Sequence, residues 1–187
     1  MNLEEVSSSL RVRGFDAHVC TRAEAVRFVL DAAKESDSVG WGGSESLKEL
    51  GLREEISRLG KEIRDHRTDC DLFLLSANAL LEDGRIVNVD GRGNRIAASI
   101  YGPRKVIYVI GKNKIVSGGI DDAVARIKKV ACPLNAKRLG KKTPCALTGV
   151  CADCDSPDRI CKVTAIFDRP PTMTPTSVLL VDEILGY

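Results

Sequence analysis

No apolar run in this chain is long enough to cross a bilayer. The longest, Val106 to Ile110 and Val178 to Val181, fall far short of the roughly 20 residues that a membrane helix needs, so no membrane role is expected. A secretory leader is missing too. Met1 is followed by Asn2, Leu3, Glu4 and Glu5, without a basic n-region, an apolar h-region or a small-residue cleavage site, and the expected location is the cytoplasm. Charge of one sign is not in excess: 28 Lys and Arg stand against 26 Asp and Glu, a net of +2, which gives no general electrostatic case for nucleic acid. The Walker lysine motif and the G-x-G-x-x-G fingerprint are both lacking, as are internal repeats and low-complexity tracts. Histidine is scarce. His18 and His66 lie outside every motif described below and are assigned no role.

What is present suffices for one well-buried domain. With 187 residues and 43% hydrophobic content, the chain reads as a single α/β domain over residues 1–187, with 132–162 as a cysteine-rich insertion. Thr21 caps a predicted helix to Glu35, with Glu24 completing a capping box. Ser38 to Trp41 reads as a short strand running into a glycine turn, and Ser46 to Ile56 as a helix. Strands are predicted at Asp71 to Ser76, Arg85 to Val89, Lys105 to Gly111, Lys162 to Phe167 and Val178 to Val181. Helices are predicted at Gly93 to Tyr101 and Asp121 to Val130. Alternation of strands and helices, with the continuous VIYVI run, implies a mostly parallel sheet covered on both faces.

Two constellations outside the cysteines suit a ligand site. In Gly40-Trp41-Gly42-Gly43-Ser44 a strand ends, glycines bare the backbone and a helix begins, an arrangement that favours an anion at Gly42, Gly43 and Ser44; a tight turn alone would also use those glycines. From Ser76 to Arg95 the chain gathers Asn78, Glu82, Asp83, Asn88, Asp90, Asn94 and Arg95. Hairpin turns at Asp83-Gly84 and Asp90-Gly91 account for part of that composition. Amides and carboxylates at a sheet's carboxyl edge would bind a polyol or sugar phosphate, with Glu82 or Asp90 as general base.

The third constellation is the densest. Cys145, Cys151, Cys154 and Cys161, four of seven cysteines, fall within 17 residues as C-x5-C-x2-C-x6-C, and four thiolates on so short a loop can saturate one metal centre. A [4Fe–4S] cluster is preferred to zinc because structural zinc sites more often pair two short knuckles, whereas one C-x2-C is present here. Ser156-Pro157-Asp158-Arg159 has the composition of a helix start that would present Cys161. Cys20, Cys70 and Cys132 read as small buried hydrophobes, Cys132 where a helix ends before Pro133. Lys128, Lys129, Lys137, Arg138, Lys141 and Lys142 precede the cysteines as a basic flank, more simply a solvated face than an anion surface.

These residues together resemble the LUD (lactate-utilisation) domain family, formerly a domain of unknown function. The resemblance is carried by GWGGS at 40–44, SANALLEDGRIVNVDGRGNR at 76–95, YGPRKVIYVIGKNKIV at 101–116, CPLNAKR at 132–138, the cysteine loop at 143–161 and the terminal VDEILGY. It implies the fold shared by CoA transferases, ribose-5-phosphate isomerases and formyltetrahydrofolate cycloligase. Some members belong to an iron–sulfur lactate-oxidising system, and some larger relatives carry a ferredoxin run, C-x2-C-x2-C-x3-C, which is absent here; the chain looks like a short subtype with its own cysteine loop. Glu82-Asp83-Gly84 is similar to the Glu-Thr-Gly of lactate-type members, which makes Glu82 the acidic residue carried over, with Asp83 replacing threonine. A fainter similarity links Ser76-Ala77-Asn78 and Val87-Asn88 to sugar-phosphate isomerases, in which an acid stands where Asn78 is.

The leading expectation is therefore redox-associated metabolism of a small anionic metabolite, in a pocket of Gly42, Gly43, Ser44, Asn78, Glu82, Asn88, Asp90, Asn94 and Arg95 beside an iron–sulfur cluster, with oxidoreductase subunits as partners. One alternative is a metal-independent isomerase, transferase or ligase acting on a phosphorylated or CoA-linked molecule, its cysteine loop holding structural zinc. Another is a non-catalytic module that binds a partner through the loop and its basic flank. Oligomerisation is left open by the sequence.

Overall fold

The computed structural model describes residues 2–65 and 68–187, so His66 lies outside the described residues. Its centre is the VIYVI strand. In β7 (Lys105–Gly111) the residues Val106, Tyr108 and Ile110 face one hydrophobic cluster while Ile107 and Val109 face another, and β10 (Thr176–Val181) divides the same way, Val178 and Leu180 against Leu179 and Val181. A strand turns successive side chains to opposite faces, so a continuous apolar run can only be satisfied where both faces are covered. With β1 (Asp16–Cys20), β2 (Ser38–Trp41), β3 (Glu62–Asp65) and β4 (Leu72–Leu75), these strands form a six-stranded, all-parallel sheet in the order β1-β10-β7-β4-β2-β3. The α/β class expected from the sequence is the fold observed.

One face of this sheet is covered by α2 (Arg22–Lys34), α3 (Glu45–Glu49) and α4 (Leu52–Arg58), through Ala25, Val29, Ala33, Leu47, Leu52 and Ile56. Thr21 caps α2 with the expected box to Glu24. The helix predicted over Ser46 to Ile56 is split. Gly51 sits at φ 65 between α3 and α4, a left-handed conformation that ends one helix and that glycine adopts without a Cβ penalty. The other face packs against α1 (Leu3–Val12), α5 (Asn94–Ile100) and a second sheet of β8 (Ile115–Val116), β5 (Ala79–Leu81), β6 (Ile86–Asp90) and β9 (Val163–Phe167). The opposite side of this second sheet buries Ala79, Leu81 and Val87 against Ala123, Ile127, Ala131 and Cys132.

Three local expectations are corrected. Asp83-Gly84 does turn a hairpin, β5 pairing antiparallel with β6, but Asp90-Gly91 leads from β6 into α5 instead. The helix that begins as α6 (Ile120–Arg126) does not end before Pro133; it runs through a π-helical segment, Ile127–Ala131, into α7 (Cys132–Arg138), with right-handed dihedrals at each junction. A proline inside a helix removes one hydrogen bond and crowds the carbonyl four residues back, and a wider π turn just before Pro133 accommodates both effects. Ser156 to Arg159 forms a turn, not a helix. The Ser156 hydroxyl does accept from the Asp158 N–H at 3.2 Å, as a cap would, but it also donates to the Lys142 carbonyl at 3.2 Å, and the Asp158 carboxylate accepts from the Lys142 N–H at 2.9 Å, so the turn is tied across the loop and is not continued as a helix.

Candidate functional site

Parallel strands end on one side of a sheet, and there the loops after β2, β4 and β7 enclose a cavity of about 630 Å³. The first loop brings Gly42, Gly43 and Ser44, the second Ser76, Ala77 and Asn78, and the third Lys114. Asp90, Arg92, Asn94 and Arg95 close a second side. The third wall comes from the carboxyl-terminal part: Cys132, Asn135, Arg138 and Lys141, then Pro157, Asp158, Arg159, Ile160 and Lys162 of the cysteine loop, and Tyr187. Seven basic side chains and three acidic ones thus line one cavity.

Each predicted residue has a definite place. Gly42 is closely approached, since a Cβ there would lie 3.0 Å from the Leu75 Cβ, and its N–H donates to the Leu74 carbonyl at 2.9 Å. That N–H therefore prolongs the β2–β4 pairing and is not directed at a ligand. Gly43 takes φ 62 at the cavity lip, and the Ser44 hydroxyl accepts from the Leu47 N–H at 3.4 Å as the cap of α3.

Arg95 is the hub of the second side. Its Nε donates to Asp90 Oδ1 at 3.0 Å, and its Nη2 to Asn78 Oδ1 at 2.6 Å and to the Val89 carbonyl at 2.8 Å. The other Asp90 oxygen accepts from the Ile96 N–H at 3.0 Å, so Asp90 holds the arginine and starts α5, and both its oxygens are engaged. Asn78 is held from both sides, its N–H donating to Asn88 Oδ1 at 2.9 Å and its Oδ1 accepting from the Val89 N–H at 2.8 Å. Asn88 itself is fully buried, with its Nδ2 donating to the Tyr108 hydroxyl at 3.3 Å. It supports Asn78 from behind and does not line the cavity. Burial pushes the Tyr108 phenol up to about 12, which keeps it neutral.

Glu82 is not brought to this site. It sits in the turn joining β5 to β6, at the end of the hairpin opposite Asn78 and Asp90, with its N–H donating to the Val116 carbonyl. Four steps along the strand separate it from Asn78 by roughly 13 Å at the usual rise per residue. As general base in this cavity Glu82 is therefore corrected, because the register of the hairpin carries it away.

Lys114 went unnoticed in the sequence. It is 3% exposed, and its ammonium donates to the hydroxyls of Ser46 at 2.7 Å and Ser76 at 2.9 Å. Burial first, then the nearby Arg126 and Arg95 charges, lower its pKa to about 7. A lysine inside Gly-Lys-Asn-Lys-Ile-Val looks like a solvated residue between turns; only the end of β7 turning inward buries it. Arg138, read in the sequence only as part of the basic flank, and Tyr187, to which no role was given, also reach the cavity. The Arg138 Nε donates to the Tyr187 hydroxyl at 2.9 Å, and both line the cavity.

The cysteine loop forms one cavity wall without a hydrophobic core of its own. Cys145 starts within α8 (Pro144–Thr148), and Cys145, Cys151, Cys154 and Cys161 are all free thiols of intermediate burial. The loop is pinned by polar contacts: Arg159 donates to the carbonyls of Cys154 and Cys161 at 2.7 and 2.9 Å and to Asp153 at 2.9 Å, while Lys128 reaches Asp153 at 3.2 Å. Among the described residues no three His, Cys, Asp or Glu side chains converge closely enough to hold an ion. The donor chemistry nonetheless suits a thiophilic centre, since four unoxidised thiols share one short loop. Cys132 is buried, as expected of a small hydrophobe, but it is not isolated: burial, followed by the neighbouring thiols of Cys161, Cys151 and Cys145, raises its pKa to about 12. Cys161 packs against the same apolar cluster.

The LUD domain family model matches residues 3–174. The chain belongs to the LUD domain family. A solved structure of a DUF162 family protein from Deinococcus radiodurans is similar to this LUD-domain protein at 15% identity, with a TM-score of 0.59 over 96% of this chain and 95% of that one. At such identity the likeness concerns the fold. No curated protein matches the sequence. No helix among the described residues is long and apolar enough to cross a membrane.

Proposed function

We propose that this LUD-domain protein acts on a small anionic metabolite bound at the carboxyl edge of its parallel sheet, beside an iron–sulfur cluster carried by the cysteine loop. The observation that carries the reading is the cavity's lining, seven basic against three acidic side chains; with Arg95 on Asp90, Arg138 on Glu45, Lys141 on Asp158 and Arg159 on Asp153, the surplus rests on Arg92 and Lys162, and on Lys114 when it is protonated. An excess of cations in a concave site favours an anion by its local field. Arg95 and Asn78 are held in place before any ligand arrives, which lowers the cost of ordering them on binding. Arg92 and Lys162 are exposed at the rim, where they would meet the charged end of a ligand.

Cys145, Cys151, Cys154 and Cys161 would hold the cluster, which when bound supplies one-electron transfer. Residues between the last two of these cysteines, Pro157 to Ile160, line the cavity, so fixing the thiols would also fix one wall of the pocket. The electron partner expected for such a site is an oxidoreductase subunit. A second reading is favoured by the same lining: an isomerase, transferase or ligase for a phosphorylated or CoA-linked molecule, with structural zinc on the loop.

Two measurements separate these readings. Protein purified without oxygen should contain iron and acid-labile sulfide and absorb broadly in the visible; a colourless sample with one zinc per chain would remove the redox reading. Thermal unfolding with inorganic phosphate, sugar phosphates, 2-oxo acids and acyl-CoAs should show stabilisation by at least one, worth about 2.7 kcal/mol at a hundredfold excess over Kd. No shift with any of them would overturn the anion pocket.

A further inference from the structure

Lys114 calls for an explanation beyond anion binding. A lysine whose only task is to attract an anion does best as a hydrated cation at the rim, the position of Lys162. Lys114 instead lies at the cavity wall with 3% of its surface exposed and no carboxylate within ion-pairing reach among the described residues. Its contacts are two hydroxyls. Ser46 Oγ donates its own hydrogen to the Leu185 carbonyl at 3.0 Å, so toward Lys114 it can only accept; Ser76 Oγ, at 2.9 Å, accepts a second N–H. A neutral amine has two N–H bonds and one lone pair. With both N–H bonds directed to the serines, the lone pair meets no further hydrogen-bond donor among the described contacts, and Lys114 lines the cavity.

We propose that Lys114 is a reactive amine that forms a reversible imine with the aldehyde or ketone group of an anionic metabolite. The inference rests on reading the cavity as an anion site and names the class of ligand, an anionic carbonyl compound. The amine nitrogen adds to the carbonyl carbon, its protons pass to the carbonyl oxygen, and that oxygen leaves as water as the carbon–nitrogen double bond forms. No oxidant or reductant enters the balance. Desolvation beside other cations is the established way to make a lysine nucleophilic near neutral pH. Here burial supplies the first and Arg126 and Arg95 the second, bringing the amine to about 7. Arg95, Arg92 and Lys162 lie in the same lining and would take the anionic end.

The test uses the intact protein as purified. It is incubated at neutral pH with pyruvate, a 2-oxo acid, or with glyceraldehyde 3-phosphate, an aldose phosphate; sodium cyanoborohydride then reduces any imine, and peptide mapping by mass spectrometry locates it. The expected result is one reduced adduct per chain on the peptide containing Lys114, formed ahead of the exposed lysines; the probe that forms it tells an oxo acid from a sugar phosphate. Adducts scattered over exposed lysines, with Lys114 unmodified by both probes, would overturn the proposal, and this readout needs no variant to fold. Lys114→Arg, shown to be folded by its thermal transition, should lose the adduct at least tenfold. Stabilisation by inorganic phosphate without any Lys114 adduct would leave the anion pocket standing and remove only the imine. An adduct formed equally well with uncharged acetone would remove the anionic requirement.

Discussion

Replacing Lys114 with Met should change how stability depends on pH, and the sign follows from the direction of its shift. In the unfolded chain the amine titrates near 10.5, while in the fold it titrates at about 7. Between those values the unfolded state binds a proton that the folded state does not, so stability rises with pH across that window. Below about 7 both states are protonated and the penalty is constant. The full difference corresponds to an energy on the order of 4 to 5 kcal/mol, with a slope of about 1.4 kcal/mol per pH unit at most. Other groups oppose it at high pH. The thiols of Cys20 and Cys70 are raised by burial from 9.0 to about 11 and that of Cys132 to about 12, so above pH 9 the fold keeps protons that the unfolded chain has lost and stability falls. The clean window is therefore 7 to 9, in which wild type should gain on the order of 2 kcal/mol relative to Lys114→Met. Urea unfolding of both proteins at matched metal content, across that range, reads the difference directly. Comparing the two cancels the thiols. Parallel stability curves would show that Lys114 is as protonated in the fold as out of it, and the buried neutral amine would have to be given up.

Arg95→Met removes the partner of a largely buried carboxylate and the donor to Asn78 Oδ1 and the Val89 and Ser76 carbonyls, and should cost roughly 3 kcal/mol in denaturant unfolding while weakening the stabilisation by any bound anion; an unchanged midpoint would mean that the Asp90 pair contributes little. Gly40→Ala places a Cβ 2.5 Å from the Cys70 sulfur and from Phe73 Cδ2, and should lower stability by about 1 to 3 kcal/mol through overpacking; a neutral result by urea titration would show that β4 yields easily. Cys154→Ala should lose bound metal and expose 141–159 to protease while the core through Val130 stays protected, because binding to a site formed only on folding is coupled to that fold. Full metal occupancy with the parent's proteolysis pattern would exclude Cys154 as a ligand.

Local pattern alone determined much of this protein. The unbroken VIYVI run required a strand covered on both faces, Thr21 and Glu24 set the start of α2, and the strand–glycine–helix unit at Gly40 to Ser44 put the ligand edge where the cavity lies. The first two depend on contacts a few residues apart, or on a burial rule that any neighbour satisfies; that the glycine unit borders a cavity, with the Gly42 N–H turned to Leu74, is a matter of packing. The tertiary structure decided the rest. Glu82 and Asn78 are four positions apart in sequence, but a hairpin sends them to opposite ends of its strands. Lys114 is an ordinary lysine until the end of β7 carries it against Ser46 of α3 and Ser76 of the loop after β4. Asp90 reads as a general base until Arg95 and the first turn of α5 engage both its oxygens. Cys132 lies beside loop thiols more than ten residues away in sequence, at the junction where the π segment passes into α7. In each case the deciding partner lies beyond the range of local periodicity, and the environment that sets a side chain's charge and reach exists only once distant segments are packed together.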